Sequence, residues 1–191
     1  MAICLWSLGA APASAQESPT DYVKRVGRDL IAANKSASAQ AFADTIRQHA
    51  NVQAIGTYAL GSYRGNLKPT DRDSYFAGMV RFISRYAAAE SHKYQVTNIQ
   101  IMGPAHQTQS GVVVDSKVSL RDGQSYDVQW LLQKTDAGYR IRDAKVNVLL
   151  GEYWMTPFLK DLFEKYIAEN GSVTAVTGRA RSVPNDAATA A

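Results

Sequence analysis

The hydrophobic pattern of this chain changes period once, near Lys93, and that change restricts the fold more than any other feature. Before it, apolar residues recur at intervals of three and four, the spacing of one face of a helix. Val23, Val26, Leu30 and Ala33 follow Ser18-Pro19-Thr20, which supplies an N-terminal cap. A second helix is predicted from near Ser38 with Phe42 and Ile46, and a third from Val52 to Leu60, stopping at Gly61. The clearest helix carries Phe76, Met79, Val80, Ile83 and Tyr86, with Thr70 as its cap.

After Lys93 the period becomes two. Residues 93–103, 111–120, 126–134 and 139–150 read as four strands. In the third, Tyr126, Val128, Trp130 and Leu132 share one face, while Asp127, Gln129 and Gln133 share the other. Arg121-Asp122-Gly123-Gln124 and Thr135-Asp136-Ala137-Gly138 are short polar joins with glycine for positive φ, so the strands they connect are antiparallel neighbours. A last helix opens at Thr156-Pro157, carries Phe158, Leu159, Leu162, Phe163, Tyr166 and Ile167, and ends at Asn170-Gly171. A short further helix from Ser172 is compatible with the pattern. Helices, then an antiparallel sheet, then a helix cannot form parallel βαβ crossovers, so the fold class is α+β, with helices covering a face of the sheet.

With 191 residues, 46% hydrophobic and 20% charged, the chain suits one globular domain. Its 21 basic residues are interspersed with 17 acidic ones, for a net charge of +4, and form no stripe of the kind nucleic acid requires. The first sixteen residues are uncharged and include Ala13-Ser14-Ala15, the small-x-small pattern before a signal-peptidase cut. Residues 1–15 are therefore expected to be the remnant of a secretory signal, 16–182 one domain and 183–191 a flexible tail. No later stretch reaches the length of a membrane span. Cys4, the single cysteine, lies in the expected signal, so neither a disulfide nor a lipid anchor is expected.

Catalytic patterns are sparse. His49, His92 and His106 are far apart or in different element types, and no spacing resembles a metal site. There is no Gly-x-Ser-x-Gly elbow, and "GTYALGSYRG" follows a helix rather than a strand, which makes it a helix end and turn. Of the strand carboxylates, Asp115 and Asp127 alternate against the apolar positions. Asp143 shares parity with Tyr139 and Ile141, which leaves an inward carboxylate or a salt bridge at the strand's wet end.

The segment "ALGSYRGNLKPTDRDSYFAGMVRFISRYAA" (59–88) resembles the MlaC and toluene-tolerance family of periplasmic phospholipid carriers, in which an ALG-x-Y element precedes a Phe-rich helix. "GQSYDVQWLLQKTDAGYRIRDAKVNV" (123–148) is similar to the same family's aromatic strand, Gly-aromatic-x-Ile turn and following Asp, and "YWMTPF" (153–158) to the start of its last helix. Tyr63-Arg64-Gly65 only approximates the family's aromatic-Arg pair, and the stretch between Asp143 and Tyr153 is one residue shorter. The likeness spans roughly residues 20 to 182.

The resemblance implies a fold like nuclear transport factor 2. A curved antiparallel sheet of about four to five strands, N-terminal helices and a C-terminal helix would enclose an apolar cavity. It also implies a non-enzymatic, monomeric periplasmic carrier with phospholipid as cargo and no other cofactor. Its partners would be an inner-membrane Mla-type ABC transporter complex and an outer-membrane lipoprotein complex. Periodicity alone makes the apolar stripes core. The resemblance makes some of them a lipid wall: Val112, Val114, Val118, Leu120, Tyr126, Val128, Trp130 and Leu132 on the sheet, and Phe76, Met79, Val80, Ile83, Tyr86, Phe158 and Leu162 on helices. Arg64, Lys68, Arg81 and Arg85 are candidates for the mouth. Two other readings stand beside it: an enzyme of ketosteroid-isomerase type using Asp143 with a Tyr hydroxyl, and an envelope adaptor without lipid.

Overall fold

The computed structural model describes residues 17–148, 151–174 and 176. The expected signal, Cys4 and the tail lie outside these residues, as do most of the short helix after Ser172 and the end of the predicted fourth strand.

Helix α1 (Pro19–Ser36) starts as expected, with Ser18 Oγ accepting the Asp21 N–H at 3.1 Å and proline in the first turn. Helices α2 (Ala39–His49) and α3 (Val52–Ala59) follow, capped by the side chains of Ser38 and Asn51. A 3₁₀ segment, Gly61–Asn66, and a 3₁₀ turn, Pro69–Asp71, then lead into α4 (Arg72–Glu90). Thr70 does not cap α4. Pro69 sets the backbone of the 3₁₀ turn, the helix begins after Asp71, and the Thr70 hydroxyl donates to the Asp71 carboxylate instead. Helix α5 (Met155–Asn170) ends on Gly171 at φ +68°, the left-handed cap that glycine adopts without strain.

Six strands form one open, curved antiparallel sheet: β1 (Val96–Ile101), β2 (His106–Thr108), β3 (Gly111–Leu120), β4 (Ser125–Thr135), β5 (Gly138–Val148) and β6 (Gly151–Trp154). The order is β1-β3-β4-β5-β6, and β2 pairs with the start of β3 while β1 pairs with its end. The sequence pattern predicts neither β2 nor β6, because strands of three and four residues are too short to display a period of two. Gly123 and Gly138 take the positive φ expected of the hairpin turns.

Paired residues of an antiparallel ladder project to the same side. Val112, Val114, Ser116 and Val118 on β3 therefore share a face with Leu132, Trp130, Val128 and Tyr126 on β4. Helix α1 seals that face, packing Tyr22, Val23 and Val26 against Val114, Val128, Trp130 and Leu132. It can lie close because Gly27 has no side chain: a Cβ there would stand 3.3 Å from Ile99. The Trp130 indole N–H donates to Ser116 Oγ at 2.8 Å, which in turn donates to the Val128 carbonyl, so this core leaves neither polar group stranded.

A second core is built from helices and the turns that follow α3 and α5. Ala59 and Leu60, Tyr75 and Met79 from α4, and Leu159, Phe163 and Ile167 from α5 pack together, with Tyr75 and Phe163 fully buried. The Tyr75 hydroxyl donates to the Gly56 carbonyl at 2.8 Å. The two cores are joined at the α2–α3 corner, where Ala50 bridges Ile141 of β5 and the Asn51 N–H donates to the Ile141 carbonyl.

Candidate functional site

The site begins with an irregularity in β5. Tyr139, Ile141, Ala144 and Val146 all reach the core under α1, although the step from Ile141 to Ala144 is three residues rather than two. The ladder accommodates this with a bulge: Ile141 pairs with Leu132, and Asp143 pairs with Leu131, leaving Arg142 without a partner on β4. Parity therefore inverts. Asp143 does not share a face with Tyr139 and Ile141, as simple alternation predicts, but turns to the opposite side of the sheet.

That opposite side is open at one end. A cleft of about 490 Å³ lies between the sheet and the ends of α3 and α5, within the usual range of about 300–1,000 Å³ for ligand pockets. Its apolar walls are Val113 and Leu131 from the sheet, Ile55 from α3, and Trp154 and Pro157 around the start of α5. Ile55 also packs against the helical core, so it stands between that core and the cleft. Exposed aromatic and thioether groups surround this end of the molecule: Tyr58, Tyr153, Met155 and Phe158 are each more than two-fifths exposed. For a domain of this size that is a concentration of apolar surface rather than scattered residues.

Polar groups share the lining. Arg142, Asp143, His106, Ser110 and Gln129 all line the cleft. Asp143 Oδ1 accepts the N–H of Ala144 at 2.8 Å and of Thr156 at 2.9 Å. The second bond satisfies a free N–H in the first turn of α5, whose own N-cap position, Trp154, offers no side-chain acceptor. The carboxylate is thus a helix cap supplied from a neighbouring strand. Burial raises its pKa above the ordinary aspartate value, against the opposing effect of the Thr156 and Ala144 hydrogen bonds and the Arg142 charge. No salt bridge forms at Asp143 among the described residues, contrary to the alternative of an ion pair at the strand's wet end.

None of the fifteen residues expected to form a lipid wall lines this cleft. The structure divides them. Val112, Val114, Val118, Val128, Trp130 and Leu132 lie in or against the core under α1, with Leu120 buried on the same side of the sheet and Tyr126 half-buried, its hydroxyl donating to Gln124. Phe76, Met79, Ile83 and Leu162 belong to the helical core behind Ile55, and Val80 is buried on α4. Tyr86 and Phe158 are exposed. Arg64, Lys68, Arg81 and Arg85 are also absent from the cleft lining. The cation in the cleft is Arg142, and the slip of the apolar pattern from two to three at Ile141-Ala144 is the sequence signal that marks it. Among the described residues, no cluster of His, Cys, Asp and Glu could hold a metal, and no helix is long and apolar enough to cross a membrane.

An open antiparallel sheet with one sealed face, and on the other a cleft of mixed apolar and polar lining in the size range of ligand pockets, defines an α+β protein with room for a guest. The chain belongs to the MlaC protein family, whose model matches residues 22–154. No curated protein matches it. Among solved structures, it is similar to the phospholipid-binding protein from Ralstonia solanacearum, determined in complex with a phospholipid. The two are 20% identical with a TM-score of 0.66, and the match covers 86% of this chain and 96% of the other.

Proposed function

We propose that this protein is a periplasmic phospholipid carrier. It takes up acyl chains through the cleft between the sheet and α3/α5 and shuttles lipid between an outer-membrane lipoprotein complex and an inner-membrane ABC transporter of the Mla type. The observation that carries this reading is the cleft itself, lined by both apolar and polar side chains, in a chain of the MlaC family. The fold shared with a protein solved in complex with a phospholipid supports it.

The physical requirement is simple. A sixteen-carbon chain exposed to water costs on the order of 12 kcal/mol, at about 0.8 kcal/mol for each methylene. A carrier lowers that cost with continuous apolar surface and needs few directional contacts. Ile55, Val113, Leu131, Trp154 and Pro157 supply such surface in the cleft. Asp143, committed to capping α5, has a structural role here that needs no chemical step, so a binding protein accounts for the site without catalysis.

Protein purified without detergent is expected to release phospholipid at close to one lipid per chain on solvent extraction, measured by mass spectrometry. Lipid-free protein that also fails to take up phospholipid from vesicles would overturn the proposal.

A further inference from the structure

We propose that Arg142 is the headgroup anchor of the cleft, binding the phosphodiester of the bound lipid while the acyl chains lie against Ile55 and Leu131. The inference rests on the phospholipid reading above and adds to it a recognition residue and the chemical group recognised.

Three observations support it. First, the bulge sets this residue apart. As the extra residue of β5, Arg142 has no cross-strand partner on β4, and it lines the cleft. Bulges are common beside functional sites.

Second, the guanidinium is uncommitted. Among the described residues Arg64, Lys68, Arg81 and others are equally without an ion pair, but Arg142 is the Lys or Arg that lines the cleft, and Lys145 nearby on β5 is paired with Glu152. Arg140 donates to the backbone carbonyls of Arg47 and Gln48. Arg142 makes no side-chain hydrogen bond or ion pair among the described residues, although its charge acts on the adjacent Asp143. Asp143 does not close on it, because that carboxylate is held by the N–H groups of Ala144 and Thr156.

Third, the setting suits a phosphate ester joined to apolar chains. Ser110 lines the same cleft, and its hydroxyl makes no hydrogen bond among the described residues, so the cleft holds a neutral donor as well as the cation. A planar guanidinium presents two parallel N–H donors to two phosphate oxygens, which a lysine ammonium cannot do. A free phosphate would make the same polar contacts, but it would leave the apolar walls of the cleft unused.

The test compares two fluorescent probes with identical acyl chains, a phosphatidylglycerol and a diacylglycerol lacking the phosphate, on wild type, Arg142→Gln and Arg142→Lys. Arg142 is exposed, and melting curves on each variant check that the fold is kept. The expected result is a loss of about tenfold in phosphatidylglycerol affinity for Arg142→Gln, the scale of one charge-assisted hydrogen-bonded contact. Diacylglycerol binding should not change, and Arg142→Lys should fall between the two.

Equal weakening of both probes, or of neither, in folded Arg142→Gln overturns the assignment while leaving the carrier reading intact. Wild type that binds neither probe overturns the carrier reading itself. Inorganic phosphate that binds wild type without any lipid, and is lost in Arg142→Gln, would make this a free-anion site and overturn the assignment to a headgroup.

Discussion

Leu131 and Leu132 are neighbours in the chain and occupy opposite environments. Leu132 is fully buried beneath α1 with Val114 and Trp130, in a core closed on every side. Leu131, nearly as buried, faces the other side of the sheet and forms a wall of the open cleft. One strand thus gives one face to a sealed interior and the other to an open cleft. On β4 the sealed face carries Trp130 and Leu132, and the cleft face carries Leu131 beside Gln129. Within this strand, apolar richness therefore marks the sealed core rather than the cleft.

The contrast can be broken most sharply at the leucines themselves. Leu132→Ala should cost about 4 to 5 kcal/mol, the upper part of the range for buried leucine, because the surrounding side chains cannot collapse into the void. Leu131→Ala should cost about 2 kcal/mol, because its cavity merges with a cleft that already exists. Denaturant melts of the two variants measure the difference, and equal losses would mean that the two faces are packed alike.

A second experiment separates binding from stability. Leu131→Trp fills the cleft from its wall, so it should lower co-purified phospholipid several-fold while leaving the melting temperature close to wild type. Trp130→Phe on the sealed face should do the reverse. It loses the indole hydrogen bond to Ser116 at a cost of about 1 kcal/mol, with lipid content unchanged. A Trp130→Phe variant that keeps its stability but loses lipid would place the guest on the α1 side.

The smallest effects lie in two carboxylates that hold α5 and should respond to pH with opposite signs. Burial raises the Asp143 pKa, so its contribution to stability is full below the ordinary aspartate value and declines as pH rises through the shifted one. The melting temperature of Asp143→Asn relative to wild type should therefore improve from acid to neutral pH. Glu164 is held down to about 2 by hydrogen bonds from Lys160 and from the Ser62 N–H and hydroxyl. Its contribution is present above the ordinary glutamate value and disappears as pH falls toward about 2, so the deficit of Glu164→Gln should be largest at neutral pH and vanish in acid. Parallel trends in the two variants would refute the assignment of opposite environments.

Much of the fold was legible in residue order. The stripe Val23-Val26-Leu30-Ala33 made α1, the alternation Tyr126-Val128-Trp130-Leu132 made one face of β4, and Gly123, Gly138 and Gly171 stand where chain reversals or a helix end required them. The cleft was not legible in this way. A helical stripe and a strand face show which side chains point together, yet Phe76-Met79-Ile83 and Val128-Trp130-Leu132, expected to face one another across a cavity, belong to two different cores. Their separation depends on α1 covering the sheet, a packing choice made between elements far apart in the chain. The bulge at Arg142 was written in the three-residue step from Ile141 to Ala144, but alternation read straight through it placed Asp143 on the wrong side.

Local periodicity thus determined the elements, their antiparallel neighbours and the α+β class, because each of these follows from interactions within a few residues or across a short turn. Packing in three dimensions decided which face α1 seals, where the cleft opens and that Arg142 stands in it. Those outcomes depend on how surfaces from distant segments fit together: apolar area is gained wherever two stripes meet, and the identity of the partner stripe is not encoded in either one alone.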